Sequence, residues 1–317
     1  MKNNFFYLLL LSFVFISSCA LALSGVNPVR QIVKERPQRA LTPLPVLVGD
    51  SAFPIVSAQA VLAIDLNSGV TLYEKDPDKP LLPASTTKIV TALVAMDYYP
   101  DDSVLEVKKI EVDGQKMGLR EGEKIGAKEL LYGLLIYSAN DAAEVFAENF
   151  CAPQSPERSR MGEVGSCGRE AFIVAMNAKA KQLHLDNSYF TNPAGLDSDG
   201  NHIVSTARDL IRVAQVAMEK PRFAEIVKTK SITVKSYNGK ISHRLFNINE
   251  LIGKVDGVLG VKTGWTENAR ENLVTYLERD DHRIMLAVLG SQDRFGETKE
   301  LINWIFANYQ WQEVHSP

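Results

Sequence analysis

The 317-residue chain is poor in cysteine and histidine, with three of the first and five of the second. Three cysteines cannot build a disulfide scaffold, and the histidines lack zinc-type spacing, so neither a metal nor a cofactor is expected. Nor is there a basic excess: 35 Lys and Arg face 38 Asp and Glu, a net charge of −3. Nothing draws such a chain onto a polyanion, and nucleic acid is excluded as an expected partner. Internal repeats and low-complexity tracts are absent as well. What remains is 45% hydrophobic and 23% charged, a composition that buries a large core in one large domain or two small ones.

The N-terminus reads as an export signal over residues 1–22, with Lys2 as its charged start. The apolar run Phe5–Ile16 is short for a bilayer span and right for the core of a signal peptide. Ile16-Ser-Ser-Cys19 resembles a bacterial lipobox, which would lipidate Cys19, whereas Ala20-Leu-Ala22 suits ordinary signal peptidase. An uncleaved anchor over Phe5–Leu23 is the third reading. The expected location is the periplasm or cell envelope, with a possible membrane tether through the N-terminus. Residues 23–57 carry Pro28, Pro37, Pro43, Pro45 and Pro54 among scattered Arg and Lys, a composition expected to stay extended as a tether. A folded domain is expected over 58–312, and a short tail over 313–317.

Within that domain, Ala58–Leu66 and Val70–Tyr73 read as a strand hairpin around the turn Asn67–Gly69. Asn272–Leu277 and Ile284–Leu289 supply a second hairpin, and Val258–Thr263 a fifth strand. Helical spacing appears over Thr86–Tyr98, Ala127–Ile136, Ala142–Phe150, Glu170–Leu183, Thr206–Met218 and Thr298–Tyr309. Strands at both ends and helices between them imply an α/β fold whose ends pair in one antiparallel sheet, with a helical insertion completing a cleft. Cys151 and Cys167 bracket a polar stretch between two helices. With Cys19 removed or lipidated they are the remaining thiols in an oxidising compartment, and a disulfide is expected.

Three short motifs carry chemistry. Ser85-Thr-Thr-Lys88 opens a helix, and an i, i+3 pair shares a helix face, so hydroxyl and amine can meet. An ordinary lysine is cationic at neutral pH and cannot take the proton of serine; burial or a second cation must lower its pKa. Ser138-Ala-Asn140 directly precedes another helix and could project a hydroxyl and an amide into a cleft. Lys262-Thr-Gly264 ends a strand, where Gly264 leaves room for a ligand against the strand edge. The first two have plain alternatives: Ser85 as a helix cap with Lys88 on the surface, and Ser138, Asn140 or Asp141 as caps. A second Ser-x-Asn, Ser236–Asn238, reads as a hairpin turn before Gly239. His184 and His202 read as packing or surface residues.

All three motifs in this order form the signature set of β-lactamases and penicillin-binding proteins. The chain resembles most the serine-type D-alanyl-D-alanine carboxypeptidases, low-molecular-mass penicillin-binding proteins of the peptidase S11 type. The resemblance runs from about Ala58 to Tyr309 and includes Asn192-Pro-Ala-Gly-Leu-Asp197, Ser205-Thr-Ala-Arg-Asp-Leu210 and Gly260-Val-Lys-Thr-Gly-Trp-Thr266. It implies a β-lactamase/transpeptidase-like fold: a five-stranded antiparallel sheet flanked by helices, with a mainly helical second lobe. It also implies a peptidoglycan stem peptide as substrate, β-lactam antibiotics as covalent ligands, and no cofactor. Ser85 would then be the nucleophile, Lys88 its general base and Ser138 a proton relay, with Asn140 holding Lys88 and the substrate amide. Lys262, Thr263, Thr266 and Arg294 would bind the terminal carboxylate beside Gly264, while the backbone N–H groups of Ser85 and Trp265 would hold the oxyanion.

Rival readings are a D,D-endopeptidase using the same groups, a class A β-lactamase and a non-catalytic wall-binding protein. No Glu-x-x-Leu-Asn segment follows Ser138 to serve a β-lactamase, and intact Ser85, Lys88, Ser138 and Lys262 argue against a binder. Gly49-Asp-Ser51 lacks the following glycine of a nucleophile elbow. The segment between Cys151 and Cys167 looks like an insertion beside the cleft.

Overall fold

The computed structural model describes residues 42–152, 166–197 and 203–313. The expected signal over 1–22 with Cys19, the first part of the tether, His202 and most of the tail lie outside them.

The frame is a five-stranded antiparallel sheet in the order β3 (Thr71–Lys75), β2 (Ala60–Asp65), β10 (His282–Ser291), β9 (Arg270–Arg279), β8 (Val258–Thr266). Both faces of this sheet are covered. Val61 and Ala63 of β2 with Ile284, Leu286 and Val288 of β10 meet Leu301, Ile302 and Ile305 of helix α7 (Arg294–Asn308). The alternate residues, Ala60, Leu62, Met285, Ala287 and Leu289, face the helical lobe. Two buried faces explain why β10 reads as a nearly unbroken apolar run. The turn at Arg279–Asp281 closes β9 onto β10 as the sequence implies, with Asp280 and Asp281 at positive φ.

The helical lobe is inserted between β3 and β8. Its axis is α1 (Lys88–Tyr98), in which Ile89, Val90, Ala92, Leu93, Val94 and Ala95 are all buried. A helix apolar all round can only sit inside others, and α2 (Ala127–Leu135), α3 (Asn140–Asn149), α4 (Arg169–Gln182) and α5 (Ala207–Met218) share its core. Short pairs of strands trim the lobe: β4 (Val104–Glu106) with β5 (Lys124–Gly126), and β6 (Ser231–Lys235) with β7 (Ser242–Phe246). Ser236–Gly239 forms the turn between β6 and β7, as expected for the second Ser-x-Asn. Helix α6 (Pro221–Val227), which starts on Pro221, packs against β8.

The stretch expected as a tether differs in its second half. β1 (Leu44–Leu47) pairs with β11 (Tyr309–Gln312), burying Pro45 at an edge strand where a missing N–H is tolerated. Tyr73 and Lys75 donate to the carbonyls of Pro54, Val56 and Ala58. Phe53 lies 4.8 Å from the Trp304 ring. Residues 44–58 are therefore part of the folded domain, because aromatic and backbone partners far along the chain capture this segment. The Sγ atoms of Cys151 and Cys167 are bonded, which ties the end of α3 to the start of α4.

Candidate active site

Ser85 sits in a single 3-10 turn, Ala84–Thr87, that runs straight into α1. It caps nothing: the residue flanking α1 is Thr87, with no side-chain cap. Ala84 has φ 46°, a left-handed conformation disfavoured for a non-glycine and frequent at functional sites. Ser85 is half-buried, whereas Lys88 is fully buried.

Lys88 Nζ has three oxygen neighbours: Ser85 Oγ at 2.9 Å, Asn140 Oδ1 at 2.7 Å and the Ala194 carbonyl at 2.7 Å. The last two can only accept, so in the uncharged amine they can take both N–H bonds. The remaining lone pair then faces the Ser85 hydroxyl. Burial lowers the Lys88 pKa to about 7, against the opposing pull of Glu144 and then Asp141. The shift corresponds to about 5 kcal/mol against the ammonium, and burial, one of the two causes expected from the sequence, accounts for it.

Asn140 is the first residue of α3, flanked by Ala139 without a side-chain cap. Its Nδ2 donates to the Asp113 carbonyl at 2.6 Å and its N–H to the Gln115 carbonyl at 2.7 Å. Asp141 accepts the N–H groups of Met117, Gly118 and Leu119. The loop 113–119 thus clamps the start of α3, and Asp141 serves both that loop and the first turn of the helix, where it accepts the Ala142 N–H at 3.0 Å. Ser138, at φ 62° and nearly buried, turns its hydroxyl to Lys262 Nζ, 2.9 Å away. Lys262 also donates to the Thr263 carbonyl at 2.8 Å. Burial, then Lys88, then Arg294 push the Lys262 ammonium well below its ordinary range.

β8 is the edge strand of the sheet and lies beside the Ser85 turn. On the side where a Cβ would project, Gly264 faces the turn that carries Ser85. A Cβ there would come 3.0 Å from the Pro83 carbonyl and 3.1 Å from the N atoms of Ser85 and Thr86. Glycine is needed because the nucleophile's own backbone passes against the strand. Trp265 is 62% exposed, so its indole points away from the core and only its backbone can serve a buried group. Arg294, the first residue of α7, donates to the Gly264 carbonyl at 3.0 Å. Thr263 is buried beside Lys262, but Thr266 is engaged elsewhere, donating to Asp197 Oδ2 at 3.1 Å and accepting from Ala269 N–H. Its hydroxyl proton is not free for a substrate carboxylate.

Residues from a helix start, an interhelical turn and an edge strand therefore converge on one place. The D-alanyl-D-alanine carboxypeptidase model of the peptidase S11 family matches residues 49–293. The chain belongs to that family. It is a serine-type hydrolase. The D-alanyl-D-alanine carboxypeptidase DacB2 of Mycobacterium tuberculosis is 32% identical over 267 residues, 82% of this chain and 86% of the relative. A D-alanyl-D-alanine endopeptidase of Pseudomonas aeruginosa is 31% identical over 258 residues, 79% and 77% of the two chains. The solved DD-transpeptidase of Streptomyces K15 superposes with a TM-score of 0.71 at 29% identity, covering 81% of this chain and all of that one. The expected fold is thereby established.

The family match leaves one part of the site that motif reading does not assign. The Asn192–Asp197 stretch supplies the third neighbour of Lys88, and Asn192 Oδ1 shapes it by accepting the N–H groups of Ala194, Gly195 and Leu196. The working atom is the Ala194 carbonyl, which no side chain marks; the signal available was the Asn-Pro-Ala-Gly string itself.

Proposed function

We propose that this D,D-peptidase removes the terminal D-alanine of peptidoglycan stem peptides through an acyl-enzyme at Ser85. The observation that supports this best is the buried Lys88 Nζ held 2.9 Å from Ser85 Oγ. Lys88 takes the Ser85 proton as Oγ attacks the carbonyl between the two D-alanines. The backbone N–H groups of Ser85 and Trp265 hold the resulting oxyanion, a donor pair in which each member is typically worth about 100- to 1,000-fold in rate. Ser138, bonded to Lys262, passes a proton to the leaving amine, and D-alanine departs. Asn140 keeps Lys88 in place. Lys262, Thr263 and Arg294 attract the terminal carboxylate, and Thr266 joins them only by releasing Asp197. Water then attacks the ester and restores Ser85. A β-lactam acylates the same oxygen, its ring-opened amine remaining tethered.

A second reading, cleavage of cross-links between stem peptides, is favoured by the similarity to relatives named endopeptidases. Incubation with purified wall peptides separates the two. Free D-alanine from pentapeptide is the expected product; dimer converted to monomers without free D-alanine would establish the alternative.

Such a substrate requires export to the cell envelope. The leader reading of residues 1–22 supports export, and lipidation of Cys19 would supply a membrane tether. The mass of the mature N-terminus tests both: a diacylglyceryl adduct on Cys19 marks the tether, and a start after Ala22 marks release.

A further inference from the structure

Glu144 lies one helical turn beyond Asn140 in α3, and an i, i+4 pair shares a face. Asn140 holds Lys88 Nζ from that face. Glu144 is only 7% exposed, a position where a carboxylate needs a partner. The partner comes from another helix: Arg169 Nε meets Glu144 Oε2 at 2.9 Å and Nη2 meets Oε1 at 3.4 Å. Arg169 opens α4 two residues after Cys167, so the bridge to Cys151 anchors the backbone that carries it. Both residues line a cavity together with Asp113, whose carbonyl accepts from Asn140, and Asn192, two residues before the Ala194 carbonyl that accepts from Lys88.

The charges around this centre can be assigned one by one. From α3, Asp141 and Glu144 act on Lys88, but the Asp141 carboxylate is spent on three backbone N–H groups of the 117–119 loop. β8 contributes Lys262, with Arg294 of α7 behind it. Arg169 faces Glu144 first and the more distant Glu148 and Glu170 of α3 and α4. Glu144 is the strongest anion acting on Lys88, and Arg169 is the cation placed directly on it. No step of acylation uses either residue.

We infer that Glu144 and Arg169 form a positioning pair that sets the pH range over which Lys88 works as a base. The inference rests on the reading of Lys88 as the general base. With the pair intact, Glu144 still favours the Lys88 ammonium, and Arg169, bonded to the carboxylate, opposes that pull. Without the Glu144 charge, Arg169 remains and the uncharged amine persists to lower pH. Without Arg169, the carboxylate acts alone and favours the ammonium.

The test is the second-order rate of acylation by benzylpenicillin as a function of pH, measured on the full chain with folding checked by thermal melting. Glu144→Gln should move the acid limb to lower pH and Arg169→Gln to higher pH, each by roughly one pH unit for a charge in a partly buried site. The double variant Glu144→Gln/Arg169→Gln should place it between the two single variants. A purely structural pair would lower the rate at every pH without moving the limb, and that result overturns the inference while the base assignment stands. Lys88→Ala reports on the base assignment separately: if that variant acylates at the wild-type rate, both the assignment and the inference fall.

Discussion

Gly195 lies against the carbonyl of Ala84, so close that any Cβ at position 195 would overlap it. Gly195 has φ +83° and directly follows Ala194, whose carbonyl takes an N–H from Lys88. Ala84 directly precedes Ser85. One backbone contact therefore joins the turn that carries the nucleophile to the loop that orients its base.

Replacing that glycine should separate the two. Gly195→Ala meets both a positive φ and a steric overlap, and the backbone must shift. A loss of about 1–3 kcal/mol in stability is expected, with acylation by a β-lactam slowed more than tenfold. Denaturant midpoints and acylation rates check this; a variant with wild-type acylation would show that the contact is dispensable.

How far the site was legible follows from what kind of atom does each job. Ser85, Lys88, Ser138, Asn140 and Lys262 act through side chains, and their spacing is fixed by a helix face and a turn, so the sequence displays them. The Ala194 carbonyl is a backbone atom under an uninformative side chain, and only folding reveals it. The bond that holds Thr266 was hidden because its partner, Asp197, stands 69 positions away. In the fold, the long strands β2, β9 and β10 were visible as apolar runs. β1 was not, since Pro45 and its neighbours look like linker until β11, over 250 residues later, pairs with them. The three-residue strands β4 and β5 are too short for any periodicity to show.

The buried amine should leave a signature in stability. The folded pKa of Lys88 is about 7, below its unfolded value, so the unfolded chain binds more protons in between and stability rises with pH across that window. Wild type minus Lys88→Met, which cancels other titrations, should therefore gain about 3 kcal/mol between pH 7 and pH 10. Urea unfolding of both proteins across that range gives the difference directly, and a flat difference would mean Lys88 is charged in the fold.

Lys262 should acquire its charge with the ligand. Burial and the nearby Lys88 and Arg294 hold it well below the ordinary lysine range, and an incoming carboxylate reverses that balance. Binding of a D-alanyl-D-alanine peptide to the Ser85→Ala variant should draw protons from solution at pH values that span the Lys262 titration. Calorimetry in buffers of different ionisation enthalpy measures it. A binding enthalpy independent of buffer would show Lys262 already protonated.

The Cys151–Cys167 bridge closes a segment of sequence separation 16. A loop of that length is worth roughly 3 kcal/mol by restricting the unfolded chain. Reduction should lower the urea midpoint accordingly, and an unchanged midpoint would show that packing of α3 on α4 suffices.

The central relation is Lys88 as an uncharged base on Ser85, and intact-mass spectrometry after benzylpenicillin treatment interrogates it most directly. The wild-type chain should gain one penicilloyl mass, mapped by peptide digestion to Ser85, while Ser85→Ala and Lys88→Ala gain none. An adduct on another residue, or full acylation of Lys88→Ala at neutral pH, would contradict it.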